Sequence, residues 1–341
     1  MNGKRKSEKV KMANNKSFYV YPTYTPERDK SGNTYIRDFA DAFSGQYRVH
    51  NEKGKLGIIS VFFNLKADYF IFHWVDLIIT KQKGHLQVLF FFIEIKLLRL
   101  LKKKVIWVLH NKKPHRINSK LAMYCMKVAA HHSDIIICHA KEGREFVEQK
   151  YGLKCGEKVR YIPHPVYSDK IVDSLPKKWD IVIWGTIARY KNIVPFLRFV
   201  KQSGKFKQFK ILVCGYCPDK EYEKEILEEL SLNICYVDRF LTDDELQNEL
   251  RATTSILFTY KLDSVLSSGA LVYSLNFNKK IIGPSGGAFQ DLMPMVTCYD
   301  TFEDLEQVDF NEKVSVDYYQ EYLSQNTWDK VPLKIINLSI S

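Results

Sequence analysis

The stretch DIVIWGTIARYKNIVPFLRFVKQ, residues 180–202, decides the fold. Residues 180–184 are a short apolar run of the kind that forms a buried strand. Gly185 then turns the chain, and 193–202 reads as a helix. Strand, glycine turn and helix in that order are the repeating unit of a parallel sheet covered by helices. The same alternation runs outward from here. Downstream, strand-like runs fall at 210–214, 234–237, 254–258 and 280–282, with helical stretches at 221–229, 243–250 and 264–275 between them. Thr242-Asp243-Asp244-Glu245 opens one of these helices with an oxygen-bearing cap and acids in the first turn. Upstream, a separate series of strands falls at 18–21, 69–73, 105–109, 134–138 and 160–162. The break between the series lies at Pro163-His164-Pro165 and runs to Pro176. The expectation is an α/β chain of two facing Rossmann-like domains.

A chain of 341 residues with 45% hydrophobic residues is long enough to bury two cores. The excess of 51 Lys+Arg over 39 Asp+Glu, a net charge of +12, points to anionic partners: nucleic acid, a membrane surface or phosphorylated small molecules. No nucleic-acid-binding signature accompanies the charge, and the basic residues are spread along the chain, so nucleic acid is not expected. The seven cysteines are scattered and odd in number, which fits reduced thiols in the cytoplasm. Cys214 and Cys217 form a lone CxxC in an apolar run and read as strand-end packing. Residues 1–17 have no apolar core and read as a disordered basic tail rather than a signal peptide. The segment 86–109, LQVLFFFIEIKLLRLLKKKVIWVL, is the most apolar. Glu94, Lys96, Arg99 and the lysines 102–104 make it unsuited to span a bilayer. It divides into a helix over 87–103 and a strand, and its Leu/Phe face beside the cations suits peripheral contact with an anionic membrane.

In open parallel sheets ligands sit beyond the carboxyl ends of the strands. The first strand leads to a turn-rich loop holding Glu27 and ending in Ser31-Gly32-Asn33 before a helix. His73 and Trp74 follow the second strand. His110 and Asn111 follow the third, with His115 close behind, and His164 follows the last. Histidine donates, accepts or titrates near neutrality, which suits hydroxyl and sugar chemistry. In the second series, Arg189 and Lys191 after the glycine turn form a cationic pocket for a diphosphate. Ser264, Ser267, Ser268 and Gly269 offer hydroxyls and backbone N–H groups to phosphate oxygens.

The motifs WVLHNKKPH (107–115), YIPHPVY (161–167), WGTIARYKN (184–192) and SVLSSGALVYSLNFNKKIIGP (264–284) stand in an order that resembles bacterial GT-B glycosyltransferases. The likeness is to the family-four-like enzymes of capsule and exopolysaccharide synthesis, and it runs from about residue 18 to the end of the chain. It implies an acceptor-binding domain at 18–166, a domain for a nucleotide-diphosphate sugar at 167–317, and a helix at 318–341, with Trp328, crossing back to the first. It also implies that Arg189 and Lys191 contact the donor diphosphate, that Gly32 and Asn33 face it, and that His110 stands near the reacting sugar. The implied reaction transfers a hexose-type sugar to a lipid-linked oligosaccharide at the inner face of the plasma membrane. The family often has two glutamates where this chain has Val265 and Tyr273, leaving Asp263 as the nearby acid.

The departing diphosphate needs positive charge, which Arg189, Lys191 and the N–H groups of Ser267-Ser268-Gly269 supply. No DxD motif occurs, so neither metal nor other cofactor is expected. Inversion at the sugar would need a base, His110 or Glu27, with His73, Asn111 and His115 also on the acceptor side. Retention, towards which the family leans, would let the leaving phosphate take the proton. A nucleotide-sugar epimerase and a non-catalytic partner of an active transferase are the alternatives.

Overall fold

The computed structural model describes the backbone of residues 16–23, 34–114, 119–166, 168–263 and 265–340, with side chains to 338. Most of the basic tail, Glu27, Gly32, Asn33, His115 and Ser264 lie outside the described residues.

Two six-stranded parallel sheets carry the chain. The first holds β1 (Ser17–Tyr21), β2 (Arg48–His50), β3 (Tyr69–His73), β4 (Lys104–Leu109), β5 (Ile135–Cys138) and β6 (Val159–Tyr161), in the order β2-β1-β3-β4-β5-β6. Around it pack α1 (Tyr35–Ser44), α2 (Gly84–Leu100), α3 (Lys120–His132), α4 (Gly143–Tyr151) and the short α5 (Leu153–Gly156). β1 shows why both faces are covered. Tyr19 and Tyr21 enter one core with Phe91 and Trp107, while Phe18 and Val20 enter another with Phe39 and Phe43. Successive side chains of a strand point to opposite faces, so an all-apolar strand needs a helix on each side.

The second sheet holds β7 (Trp179–Trp184), β8 (Ile211–Cys214), β9 (Ile234–Val237), β10 (Thr253–Leu257), β11 (Lys280–Pro284) and β12 (Val296–Tyr299), ordered β12-β11-β10-β7-β8-β9. It is covered by α6 (Ile193–Gln202), α7 (Lys220–Glu228), α8 (Asp243–Arg251), α9 (Gly269–Ser274) and α10 (Gly287–Asp291). The expected capping box is present: Thr242 Oγ1 accepts from Glu245 N, and the Glu245 carboxylate accepts from Thr242 N. Cys214 and Cys217 are buried in different cores of this domain, and all seven cysteines are free thiols.

The structure differs from the sequence reading at four places. β2 and β12 are additional strands at the sheet edges, short and only partly buried, without an apolar run to announce them. The helix expected over 264–275 starts at Gly269, because the preceding residues run across to the first domain. There Val265 forms an antiparallel bridge with Asn111, and Leu266 is buried in the first domain's core. The expected C-terminal helix is two, α11 (Val316–Gln325) and α12 (Val331–Ile340). Tyr319 and Leu323 of α11 are buried in the second domain. Val331, Ile335 and Ile336 of α12 are buried in the first, against Tyr35 and Phe39. The chain therefore does cross back, and Val166 N donates to Asn326 O (2.8 Å) where it passes.

Candidate functional site

In each sheet the strand order reverses at one place: between β1 and β3 in the first, between β7 and β10 in the second. The crevice beyond the carboxyl ends of such strands is where open α/β sheets bind ligands. The residues there come from the two loops that touch across the domains. Asn111, just after β4, bridges Val265; Lys113 Nζ pairs with Asp263 (2.7 Å), and Lys112 Nζ donates to Leu262 O (3.2 Å).

On the second domain's side, the turn after β7 is built for close approach. Gly185 has φ 92°, and a Cβ there would lie 2.8 Å from Lys191 Nζ. Lys191 is 3% exposed, donates from Nζ to Trp184 O (2.8 Å), and lies 5.4 Å from the Tyr260 ring centre. Burial lowers its pKa to about 7. An ammonium carries three N–H donors, and among the described residues the protein takes one. The Tyr260 hydroxyl is 3.2 Å from Ser268 Oγ, which also caps α9 by accepting from Leu271 N. Lys191, Tyr260 and Ser268 are thus contiguous, with Ser267 half-buried and Gly269 following as the first residue of α9.

Arg189 goes elsewhere. Its half-exposed guanidinium pairs with Asp219 (2.9 Å) and Glu225 (2.7 Å) and lies over the ring of Tyr222 in α7. The two cations expected to share a pocket therefore have different partners in this structure: Lys191 turns inward and Arg189 outward. Val265 is occupied by the contact with Asn111, and the Tyr273 ring packs on Trp184 (5.5 Å).

On the first domain's side, four histidines follow four consecutive strands: His73 ends β3, His110 follows β4, His139 follows β5 and His164 follows β6. Their rings gather about Tyr35 of α1, which lies 4.9–6.0 Å from all four. His139 Nδ1 donates to Ile162 O (2.7 Å), so its Nε2 accepts from the Tyr35 hydroxyl (2.8 Å). His164 Nδ1 donates to Pro165 O (2.9 Å). His73 Nδ1 is 3.0 Å from His110 Nε2. His110 also stacks on Trp74 (4.8 Å, 28°), whose backbone holds the left-handed φ of 46°. Burial, together with neighbouring imidazoles, keeps His73 and His110 well below the usual histidine range; burial lowers His139 to about 4 and His164 to about 3. All four are neutral at pH 7. Only His110 is partly exposed. His139 is the member that the sequence reading omits, although it stands at the same strand-end position as the others.

Two facing parallel sheets with a C-terminal helix returning to the first are the GT-B fold. Solved structures share it at low sequence identity. Anabaena Alr3699/HepE in complex with UDP and glucose matches with a TM-score of 0.67 at 12% identity, over 95% of this chain and 100% of that one. The lipopolysaccharide outer core galactosyltransferase WaaB, in its apo form, matches with 0.62 at 12%, over 95% and 99%. AviGT4, a glycosyltransferase involved in avilamycin A biosynthesis, matches with 0.58 at 11%, over 94% and 96%. No protein-family model matches the sequence, and no curated protein matches it in sequence.

Proposed function

We propose that this chain is a glycosyltransferase. It takes a hexose-type sugar from a nucleotide-diphosphate sugar held by the second domain and passes it to a hydroxyl of a lipid-linked saccharide held by the first. The observation that carries this reading is the pair of unlike clusters at the carboxyl ends of the strands of the two sheets. One has a buried amine with unused donors, beside Tyr260 and Ser268. The other has a cluster of neutral imidazoles with one member open to a ligand. Charge that develops on a departing diphosphate is met by Lys191, and by Arg189 if it exchanges its carboxylate partners for phosphate oxygens, without a metal. His110 is the group positioned for the sugar hydroxyls. The fold likeness adds support: HepE holds UDP-glucose in one of its solved structures.

The acceptor side carries a feature suited to a lipid substrate. Along α2, Leu86, Leu89, Ile93 and Leu100 are exposed, a stripe at helical spacing opposite the buried Val88, Phe91, Ile95 and Leu98. Arg99 and the lysines 102–104 stand at the same end as Leu100. Apolar side chains flanked by cations suit the surface of an anionic bilayer, and no helix among the described residues is long and apolar enough to cross one.

Thermal unfolding in the presence of a panel of UDP-, GDP- and dTDP-sugars tests the donor. At least one is expected to raise the melting temperature, since a ligand that binds only the native state stabilises it. Lys191→Ala is expected to abolish that shift while the free protein still unfolds cooperatively. A full shift retained in Lys191→Ala would remove the donor site from this turn. Release of the nucleoside diphosphate only when a saccharide acceptor is present separates a transferase from an epimerase.

A further inference from the structure

His73 is completely buried, and its Nε2 has no hydrogen-bond partner among the described residues. The rings about it are those of Tyr35, Phe39 (4.6 Å, 78°), Trp74 and His110. The Tyr35 hydroxyl is engaged by His139 and does not serve it. His73 is neutral, so one of its two nitrogens carries hydrogen and the other a lone pair. A buried N–H enclosed by aromatic rings can donate to a π-face, whereas a lone pair there has no donor to accept from. The hydrogen of His73 therefore belongs on Nε2. Nδ1 is then an acceptor, and the 3.0 Å bond to His110 has its hydrogen on His110 Nε2. His110 is left with a bare Nδ1. That nitrogen belongs to the only partly exposed ring of the four.

The geometry points to His73 as a positioning residue that locks His110 in the Nε2–H form, so that His110 Nδ1 faces the cleft as a hydrogen-bond acceptor for a sugar hydroxyl. Trp74, stacked on the same imidazole, fixes the plane in which that lone pair points. His110 thus receives hydrogen from its ligand rather than offering it. This rests on the reading of the cleft as a sugar-transfer site, but the tautomer itself is measured with no sugar present, so the two stand or fall separately.

Long-range proton–nitrogen NMR correlation on the full chain, labelled in its histidine nitrogens and assigned against His110→Gln, reads the tautomer directly. His110 is expected to be protonated at Nε2 and bare at Nδ1 at neutral pH. His73→Phe is expected to lose that single-tautomer pattern, and His73→Asn, whose Oδ1 takes the place of the imidazole Nδ1, to keep it. A His110 protonated at Nδ1 in the unsubstituted chain overturns the inference, as does an unchanged pattern in His73→Phe. The unsubstituted spectrum decides alone if the phenylalanine variant does not fold.

Discussion

Glu94 sits on the buried face of α2 with no exposure, and neither carboxylate oxygen has a partner among the described residues. Burial raises its pKa to about 9. The folded state then holds a proton that the unfolded chain releases near pH 4.5. Between those values the unfolded state binds fewer protons, so stability falls as pH rises from about 4.5 to 9. At pH 7 the cost is on the order of 3 kcal/mol. Glu94→Gln, which cannot ionise, is expected to match the parent near pH 5 and to exceed it by a margin that widens up to pH 9. Denaturant unfolding at a series of pH values measures this, and a margin independent of pH would show that the carboxyl is not the cause. The sequence shows Glu94 as an interruption of an apolar run. It does not show that the interruption lies on the inner face, since α2 has apolar residues on both faces. His139 was open to the same strand-end rule as the other three, since it directly follows β5. What no local pattern records is the contact that ties it to them, through Tyr35, 104 residues earlier in the chain.

At the scale of elements, strands with unbroken apolar runs were legible to within a residue or two. β8 is an example: all four of its residues are buried and none is polar, so nothing breaks its pattern. β2 was not legible because its one apolar residue, Val49, stands between Arg48 and His50, and β12 because only Val296 and Tyr299 at its two ends are buried. The start of α9 was misread for a tertiary reason. Leu266 is as apolar as a helix residue, but it is spent on the other domain's core. In α2, burial of one face is explained by the sheet beneath it, and the outward stripe is what remains to be accounted for. Leu89→Ser/Ile93→Ser is expected to weaken binding to vesicles containing anionic lipid by several-fold and to leave the fold unchanged, because both side chains are exposed. Co-sedimentation with anionic and with neutral vesicles measures it. Equal binding by the parent and the double variant would remove α2 from the membrane contact.

At the scale of the molecule, the final helix adds to the core of a domain that the chain left at Val166. Ile335 is 1% exposed there, beside Phe18, Ile71 and Val108. Ile335→Asp buries an uncompensated charge and is expected to cost the first domain roughly 3–5 kcal/mol. Hydrogen exchange should speed up in β1, β3 and β4 and stay protected in β7 and β8. Equal loss in both sheets would mean that the domains unfold as one unit. The return of the chain also has a mechanical side. Val166, on its way out of the first domain, runs parallel to Thr327 on its way back, and the two strands of traffic are joined by a backbone bridge. A joint made of two adjacent ribbons resists torsion far better than one made of a single tether. The domains are fastened a second time where Val265 bridges Asn111 and Leu266 enters the first core, so the cleft is laced at both ends by backbone pairing.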